Sequence, residues 1–521
     1  MNWLNLTHGT SGLALGYGIV LVAVLAGLLQ GRAPAQKYVW LPVIALIAAI
    51  LGALTVGALS TFWSSPPGVP ASPGRVVAGA AVMIIVGFIA GLIAARKRSD
   101  RSHKRGAFVL DGAGEQTRAK RLKSEQLAFA GIPLMPEDET KHFKLIGTTG
   151  TGKSTAIRQL LQGALDRGDR AIIADPDGGY LKRYYDPHRG DVILNPFDER
   201  SRKWDLFAEI VNTYDVEQLA RSLIPDGESA AATEWRTYAR TFFTAVTKQL
   251  RALGHKTTAE LYRWLTSATS QELTILLEGT PAQPFLAEGN ARMFGSIRSV
   301  TAAAVAPLEY IDEQTTESFS VRDWVRSGRG VLFVPYRADQ IAALRAVIAT
   351  WMRLAIFQCM SEAERDHRLW FIIDELDALG RIDGLKDALA RLRKFGGRCV
   401  LGFQSIAQVS SLYGQGDAQT IVENCGNTLI LRCSASEGGG TARFASKLIG
   451  EREIVHETTS KSRSSMMPFA NPHPHSSVSK SEQHVIESAV LASEIEQLPD
   501  LSGYVKVASQ PAWMKIRLIS A

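Results

Sequence analysis

Acidic residues are missing from the N-terminal stretch: neither Asp nor Glu occurs in the first 95 positions. Over residues 1–105 nine cations face one acid, a balance of +8, while the rest carries 49 cations against 50 acids, a balance of −1. The formal net charge of +7 thus belongs to the N-terminus, beside apolar segments, and is no argument for nucleic acid. Cysteine is scarce as well, with residues only at 359, 399, 425 and 433. Those spacings fit no metal knuckle and no CxxC redox pair, so buried thiols in a reducing compartment are expected, with neither zinc nor a disulfide. A small disulfide scaffold is excluded, and 521 residues call for two or three structural units.

What the N-terminus does hold is three uncharged apolar runs, Gly12–Leu29, Tyr38–Trp63 and Val76–Ala95, each near or above the roughly 20 residues that cross a bilayer. They read as a transmembrane anchor over residues 1–105 with spans at about 12–29, 38–63 and 76–95. A removable signal peptide would explain only the first, and Met1–Gly12 has no basic residue to begin one. Arg96, Lys97, Arg98, Arg101, Lys104 and Arg105 crowd the end of the third run, which places the remainder in the cytoplasm and the N-terminus outside. Arg32 and Lys37 lie between the first two runs, Ser64–Gly74 is uncharged, and Trp3, Trp40 and Trp63 suit the interface. The alternative is two spans with one run lying against the membrane.

The chemistry begins at an apolar strand, His142 to Ile146, that runs into Gly147, Thr148, Thr149, Gly150, Thr151, Gly152, Lys153, Ser154 and a helix from Thr155. This is the G-x-x-x-x-G-K-S phosphate loop. Its glycines let backbone N–H groups face a β-phosphate, Lys153 neutralises β and γ oxygens, and the Ser154 hydroxyl serves Mg²⁺. A second apolar run, Leu369 to Ile373, ends in Asp374 and Glu375. Carboxylates at the C-terminal edge of a parallel strand face the ligand crevice, where Asp374 would hold the Mg²⁺ water shell and Glu375 would take the proton of the attacking water. ATP and Mg²⁺ are the cofactors implied, and ATP hydrolysis is the reaction.

Arg170–Ala174, Val331–Val334, Cys399–Leu401 and Thr428–Leu431 supply further strands, giving an α/β class with a mainly parallel sheet. Gln404 follows one of them, where its amide either senses the γ-phosphate or merely opens a helix. Arg393 ends a predicted helix over Gly384–Lys394 and is the choice for an arginine offered to a neighbouring subunit's nucleotide, against the plainer reading of a cation at a helix C-terminus. No LSGGQ-like signature lies between Ser154 and Asp374, which disfavours an ABC transporter.

The phosphate loop, Asp175-Pro176-Asp177-Gly178-Gly179-Tyr180, Asn195-Pro196-Phe197-Asp198, Trp204-Asp205-Leu206-Phe207, Asp374-Glu375-Leu376 and Gly402-Phe403-Gln404-Ser405 together resemble the type IV coupling proteins of bacterial conjugation, over roughly residues 125–521. The resemblance implies a RecA-like motor in two parts, 106–204 and 313–521, around an all-helical domain at 205–312, in a homo-hexameric ring on the inner membrane. It implies pumping of single-stranded DNA with its attached relaxase, and partnership with accessory relaxosome proteins, the secretion channel and the lipid bilayer. The rival readings are a double-strand DNA translocase of the chromosome-segregation type and a docking adaptor locked by nucleotide.

Val216–Leu223, Glu234–Leu250, Thr258–Thr266 and Ser296–Leu308 read as helices of the insert. Arg236, Arg240, Lys248 and Arg251 recur along one of them, as a DNA path or, more simply, a solvated face. His456–His484, with Pro468, Pro472 and Pro474, reads as a mobile loop, and metal binding by His473 and His475 is the lesser alternative.

Overall fold

The computed structural model describes residues 10–30, 35–62, 73–95, 101–119, 126–227, 229–361, 368–435, 440–463 and 476–519. Trp3, Arg32, Trp63, the Ser64–Ser72 part of the loop, Arg96 to Arg98, the prolines at 468, 472 and 474, and His473 and His475 lie outside them. Two compact units emerge, one from Met1–His103 with Ile454–Val485, the other from Lys104–Glu453 with Ile486–Ala521.

The larger unit is organised by a ten-stranded sheet. Its strands are β1 (Val109–Asp111), β2 (Phe143–Ile146), β3 (Arg170–Pro176), β4 (Val192–Ile193), β5 (Val331–Tyr336), β6 (Leu369–Ile373), β7 (Gly397–Phe403), β8 (Asn427–Ile430), β9 (Ser502–Lys506) and β10 (Trp513–Arg517), in the spatial order β1-β10-β9-β8-β2-β7-β6-β3-β5-β4. From β8 to β4 every pairing is parallel, and β9 runs antiparallel to both β8 and β10. The central strands are buried on both faces, which is why β6 reads Leu-Trp-Phe-Ile-Ile without alternation. β2 sits between β7 and β8, with Phe403 and Ile430 both opposite Ile146, so the phosphate loop leaves the middle of the sheet.

Between Trp204 and Ser318 the described chain is helical, and the two ends are tied by a short parallel ribbon, Lys203 with Ser318 and Trp204 with Phe319. Its helices are Thr213–Leu223, Ala230–Ala252, Thr258–Thr266, Ser270–Leu276, Ala291–Val305 and Pro307–Asp312. Phe242, Phe243, Val246, Leu250 and Ile297 fill its interior, and Phe242 meets Phe294 edge-on at 5.3 Å. The solvated cationic face expected there is not what forms. Arg236 donates to Pro225 O, Arg240 pairs with Asp226, Lys248 with Glu217, and Arg251 donates to Ile210 O. All four are half-buried and fasten their helix to the preceding helix and its flanking loops, each giving up part of its hydration for a carbonyl or carboxylate that the folded insert brings alongside.

A second correction concerns residues 456–484. Glu451–Arg463 and Ser476–Ser488 are strands, neighbours in a separate sheet. Ile454, Val455, Thr458, Thr459, Val485 and Ile486 favour extended backbone, and the prolines that suggested a loop fall between the strands and not within them.

In the smaller unit three helices, Thr10–Gln30, Leu41–Phe62 and Pro73–Ala95, hold the first and third apolar runs and residues 41–62 of the second, whose Tyr38 to Trp40 lie in a short 3-10 helix. The first and third touch through backbone: a Cβ on Gly91 would lie 2.3 Å from Val24 O, and one on Gly27 2.3 Å from Phe88 O. Such small-residue contacts are the usual way helices associate in lipid. Ile84, Ile85, Ile89 and Ile93 are left exposed. Among the described residues of this unit, Val77–Ala94 is long and apolar enough to cross a membrane, whereas Gly16–Gln30 and Tyr38–Ala53 are apolar but shorter. Ile341–Ser361 passes the same test, yet it is a core helix of the larger unit, with Val347, Trp351 and Leu354 buried.

Candidate functional site

The site lies at the C-terminal edge of β2, β3, β6 and β7. Strand β2 delivers Gly147, and the helix Lys153–Asp166 begins six residues later. Gly152 precedes it at φ +117°, a conformation side chains rarely adopt, and an added Cβ would also lie 2.9 Å from Leu501 Cδ2. The loop is braced from outside: Thr148 N donates to Arg432 O at 2.9 Å, Leu501 N to Thr151 O at 3.0 Å, and Arg432 pairs with Asp500 at 2.7 Å.

Lys153 is buried, and its ammonium donates to Gly147 O at 2.6 Å and Thr148 O at 3.2 Å. Burial lowers its pKa, and the carboxylates of Asp374 and Glu375 push it back up. Ser154 Oγ donates to Asp374 Oδ2 at 2.6 Å, so the two predicted metal-side residues converge. Glu375 Oε1 accepts from the Gln404 amide, whose oxygen accepts from Thr149 Oγ1 at 2.9 Å. The Glu375 pKa is raised, first by burial and then by Asp377, which leaves a more basic carboxylate. Gln404 therefore bridges the proposed base and the phosphate loop; it is not only the opening of a helix.

Two residues that carried no assigned role complete the site. Asp175, at the end of β3, accepts from Tyr180 N at 3.0 Å and Leu181 N at 2.7 Å, and Tyr180 OH donates to Asp374 Oδ2 at 2.9 Å. Burial raises the Asp175 pKa to about 6. The run Asp175 to Tyr180 marked this place in the sequence, but a contact across 194 positions has no local signal.

Arg393 is not brought to this site within the chain. It is exposed beyond the helix Leu385–Leu392 and precedes β7, at the edge where the parallel strands begin. Beneath it His142 is buried, its Nδ1 accepting from Cys399 N at 3.1 Å and its Nε2 lying 2.9 Å from Leu389 O.

The donor set fits a magnesium nucleotide: a hydroxyl and a carboxylate in contact suit a hard cation, and a buried ammonium beside a helix N-terminus suits phosphate. Ser154 and Asp374 would hold the metal, and the backbone of 147–155 with Lys153 would hold the phosphates.

Comparison with known proteins agrees. Residues 126–519 match the family model described as type IV secretion-system coupling protein DNA-binding domain. The coupling protein TraD of Escherichia coli (strain K12) is 31% identical over 450 residues, covering 84% of this chain and 61% of TraD, so the chain spans under two thirds of that relative. The unbound bacterial conjugative coupling protein TrwBΔN70 superposes with a TM-score of 0.71 at 33% identity, over 80% of this chain and 94% of that one. The plasmid coupling protein TrwB in complex with ADP and Mg²⁺ gives 0.70 at 32%, over 80% and 95%. A match that begins ahead of the strand carrying the phosphate loop and runs past the last strand of the sheet settles the lineage: this chain belongs to the type IV secretion-system coupling protein family.

Proposed function

We propose that the protein is an ATPase of the bacterial inner membrane that couples the relaxosome to a type IV secretion channel and drives single-stranded DNA, with its attached relaxase, toward that channel. The observation that carries the ATPase is the meeting of Ser154 Oγ and Asp374 Oδ2 at 2.6 Å, with Glu375 alongside and bonded to Gln404. Lys153 neutralises the β and γ oxygens and Glu375 accepts the proton of the attacking water. Gln404, tied to both Thr149 and Glu375, keeps that base in register with the loop. Mg²⁺, when bound, supplies Lewis-acid stabilisation of charge on the transferred phosphoryl group. Arg393 completes the site of a neighbour in a homo-hexameric ring, which its exposure permits.

The three N-terminal helices anchor the ring, with residues 96–521 in the cytoplasm. Their outward apolar side chains support this reading. Relaxosome proteins and channel components are the partners that such an anchored motor implies. DNA in its path is held through phosphates, so binding weakens steeply with salt and shows little sequence preference.

The test is ATP turnover by the full-length protein with and without single-stranded DNA, at several salt concentrations. DNA-stimulated turnover that fades with salt supports the reading; turnover indifferent to DNA argues against a motor. A topology reporter fused at Pro67 is expected outside the cytoplasm, and a cytoplasmic signal would remove the three-span arrangement.

A further inference from the structure

In parallel register Ala174 lies opposite Ile373, so the next residues, Asp175 and Asp374, emerge side by side at the crevice. Both are buried. Two neighbouring buried carboxylates repel unless donors are supplied, and each here receives its own. Asp175 takes two backbone N–H groups, those of Tyr180 and Leu181, and so fixes the start of the helix Gly179–Tyr184. That helix then presents the Tyr180 hydroxyl to Asp374 Oδ2, the oxygen that also accepts from Ser154. Oδ1 of Asp374 takes no hydrogen bond from a protein donor among the described residues.

Tyr180 is only 1% exposed, and the Arg158 guanidinium, on the phosphate-loop helix, lies 5.7 Å from its ring centroid. The side chain is thus held at its backbone by Asp175, on its ring by Arg158 and at its tip by Asp374. A neutral phenol suits this place. A lysine or arginine would also bond the carboxylate, but its positive charge would compete with a divalent cation a few ångströms away. A hydroxyl orients the carboxylate and leaves its charge for the metal, which is how outer partners of metal ligands commonly act.

We propose that Tyr180 is a positioning residue for the metal: through its hydroxyl it fixes the Asp374 carboxylate in the orientation that receives Mg²⁺ beside Ser154, and Asp175 sets Tyr180 in place. This rests on the reading of Ser154 and Asp374 as the Mg²⁺ side of a nucleotide site. It separates residues that touch the metal shell from residues that aim them, and it assigns a task to part of the Asp175 to Tyr180 run.

The experiment titrates Mg²⁺ into the full-length protein with a fluorescent ATP analogue, reading analogue binding and not turnover. Tyr180→Phe is expected to raise the Mg²⁺ concentration at half-effect about tenfold, the scale on which outer partners influence metal affinity, while metal-free analogue affinity and the melting temperature hold. Tyr184→Phe removes a hydroxyl of the same helix that donates to Arg158 O, and is expected to leave the Mg²⁺ midpoint in place. An unchanged midpoint in Tyr180→Phe overturns the proposal. So does a parallel loss of metal-free affinity and melting temperature, which would mark a packing role. If Tyr180→Phe does not fold, Asp175→Asn carries the test: it weakens the hold on the helix start, so a raised Mg²⁺ midpoint supports the proposal and an unchanged one overturns it. Asp374→Asn guards the foundation: if it leaves the Mg²⁺ dependence intact, the reading of the metal side fails, separately from the role of Tyr180.

Discussion

Ser154 and Asp374 stand 220 positions apart and share a hydrogen bond of 2.6 Å. The hydroxyl comes from the first turn of the phosphate-loop helix and the carboxylate from the end of β6, two strands away from β2 across β7. β7 pairs parallel to both, so the C-terminal ends of β2 and β6 lie on one edge. The contact therefore reports the fold and the chemistry together: moving either strand in the order would change the distance between hydroxyl and acid by a strand spacing or more.

Lys153→Ala is the direct probe of the phosphate side. The ammonium is buried and bonded to two loop carbonyls, so the substitution removes both the charge meant for the phosphates and a clasp on the loop. Turnover should fall at least about a hundredfold, with nucleotide affinity falling too, as read by phosphate release and analogue binding. Retained turnover would dismiss the ammonium from the chemistry.

Glu375→Gln separates binding from hydrolysis. If the carboxylate is the base, turnover drops by about 10²- to 10⁴-fold while nucleotide affinity is kept. Burial and Asp377 raise the Glu375 pKa, so the wild-type rate should begin to fall at a higher pH than for a solvated glutamate as acidity increases, and the variant should lose that acid limb. DNA transfer should stop as well; transfer that persists with Glu375→Gln would favour a docking adaptor over a motor.

The sequence made the centre of the sheet legible because β5 and β6 are apolar throughout and β2, β3 and β7 are apolar but for Lys144, Arg170, Asp175 and Arg398. Gly147 to Ser154 and the Asp374/Glu375 pair needed only strand polarity to be placed on one edge. The strands on either side of 464–475 ran against expectation because a Ser-rich window with three prolines suggests a loop, while Thr458, Thr459 and Val485, which favour extended backbone, lie toward its ends. The cations of Ala230–Ala252 were misread because a helix pattern shows spacing and not partners; Asp226, Glu217 and the carbonyl of Pro225 reach them only once the insert folds. Tyr180 was in view as part of a motif, yet its bond to Asp374 joins neighbouring strands that the intervening insert separates in sequence.

Glu209 gives a stability prediction with a defined sign. It is fully buried at the base of the insert and accepts from Trp204 Nε1, Val321 N and Arg322 N, which joins the strand before the insert to the helix after it. Burial raises its pKa from 4.5 to about 7. Between those values the folded state keeps a proton that the unfolded chain has released, so stability falls as pH rises through that window, by about 3 kcal/mol in total. Melting temperatures of the wild type and Glu209→Gln should converge toward high acidity and differ in slope between pH 5 and 7, the variant being the flatter. Parallel curves would mean that Glu209 is ionised throughout.

Arg393 decides whether the site is shared. The strand β7 has seven residues and so spans about 23 Å, and Arg393 precedes its first residue while Gln404 follows its last. The guanidinium therefore cannot serve the phosphates of its own chain without dismantling the sheet, and any catalytic use must be across an interface. Arg393→Ala should bind nucleotide normally and turn it over poorly, whereas Lys153→Ala should fail at the phosphate itself. Mixed in equal amounts, the two inactive proteins should regain turnover, because some interfaces join an intact phosphate loop from one variant to an intact Arg393 from the other. Random assembly into a head-to-tail ring makes about a quarter of the interfaces of that kind, which sets the ceiling for the recovery. Phosphate release across a series of mixing ratios should peak near equal amounts. A flat, inactive series would leave Arg393 as a helix-end cation and require the neighbour's contribution to come from another residue.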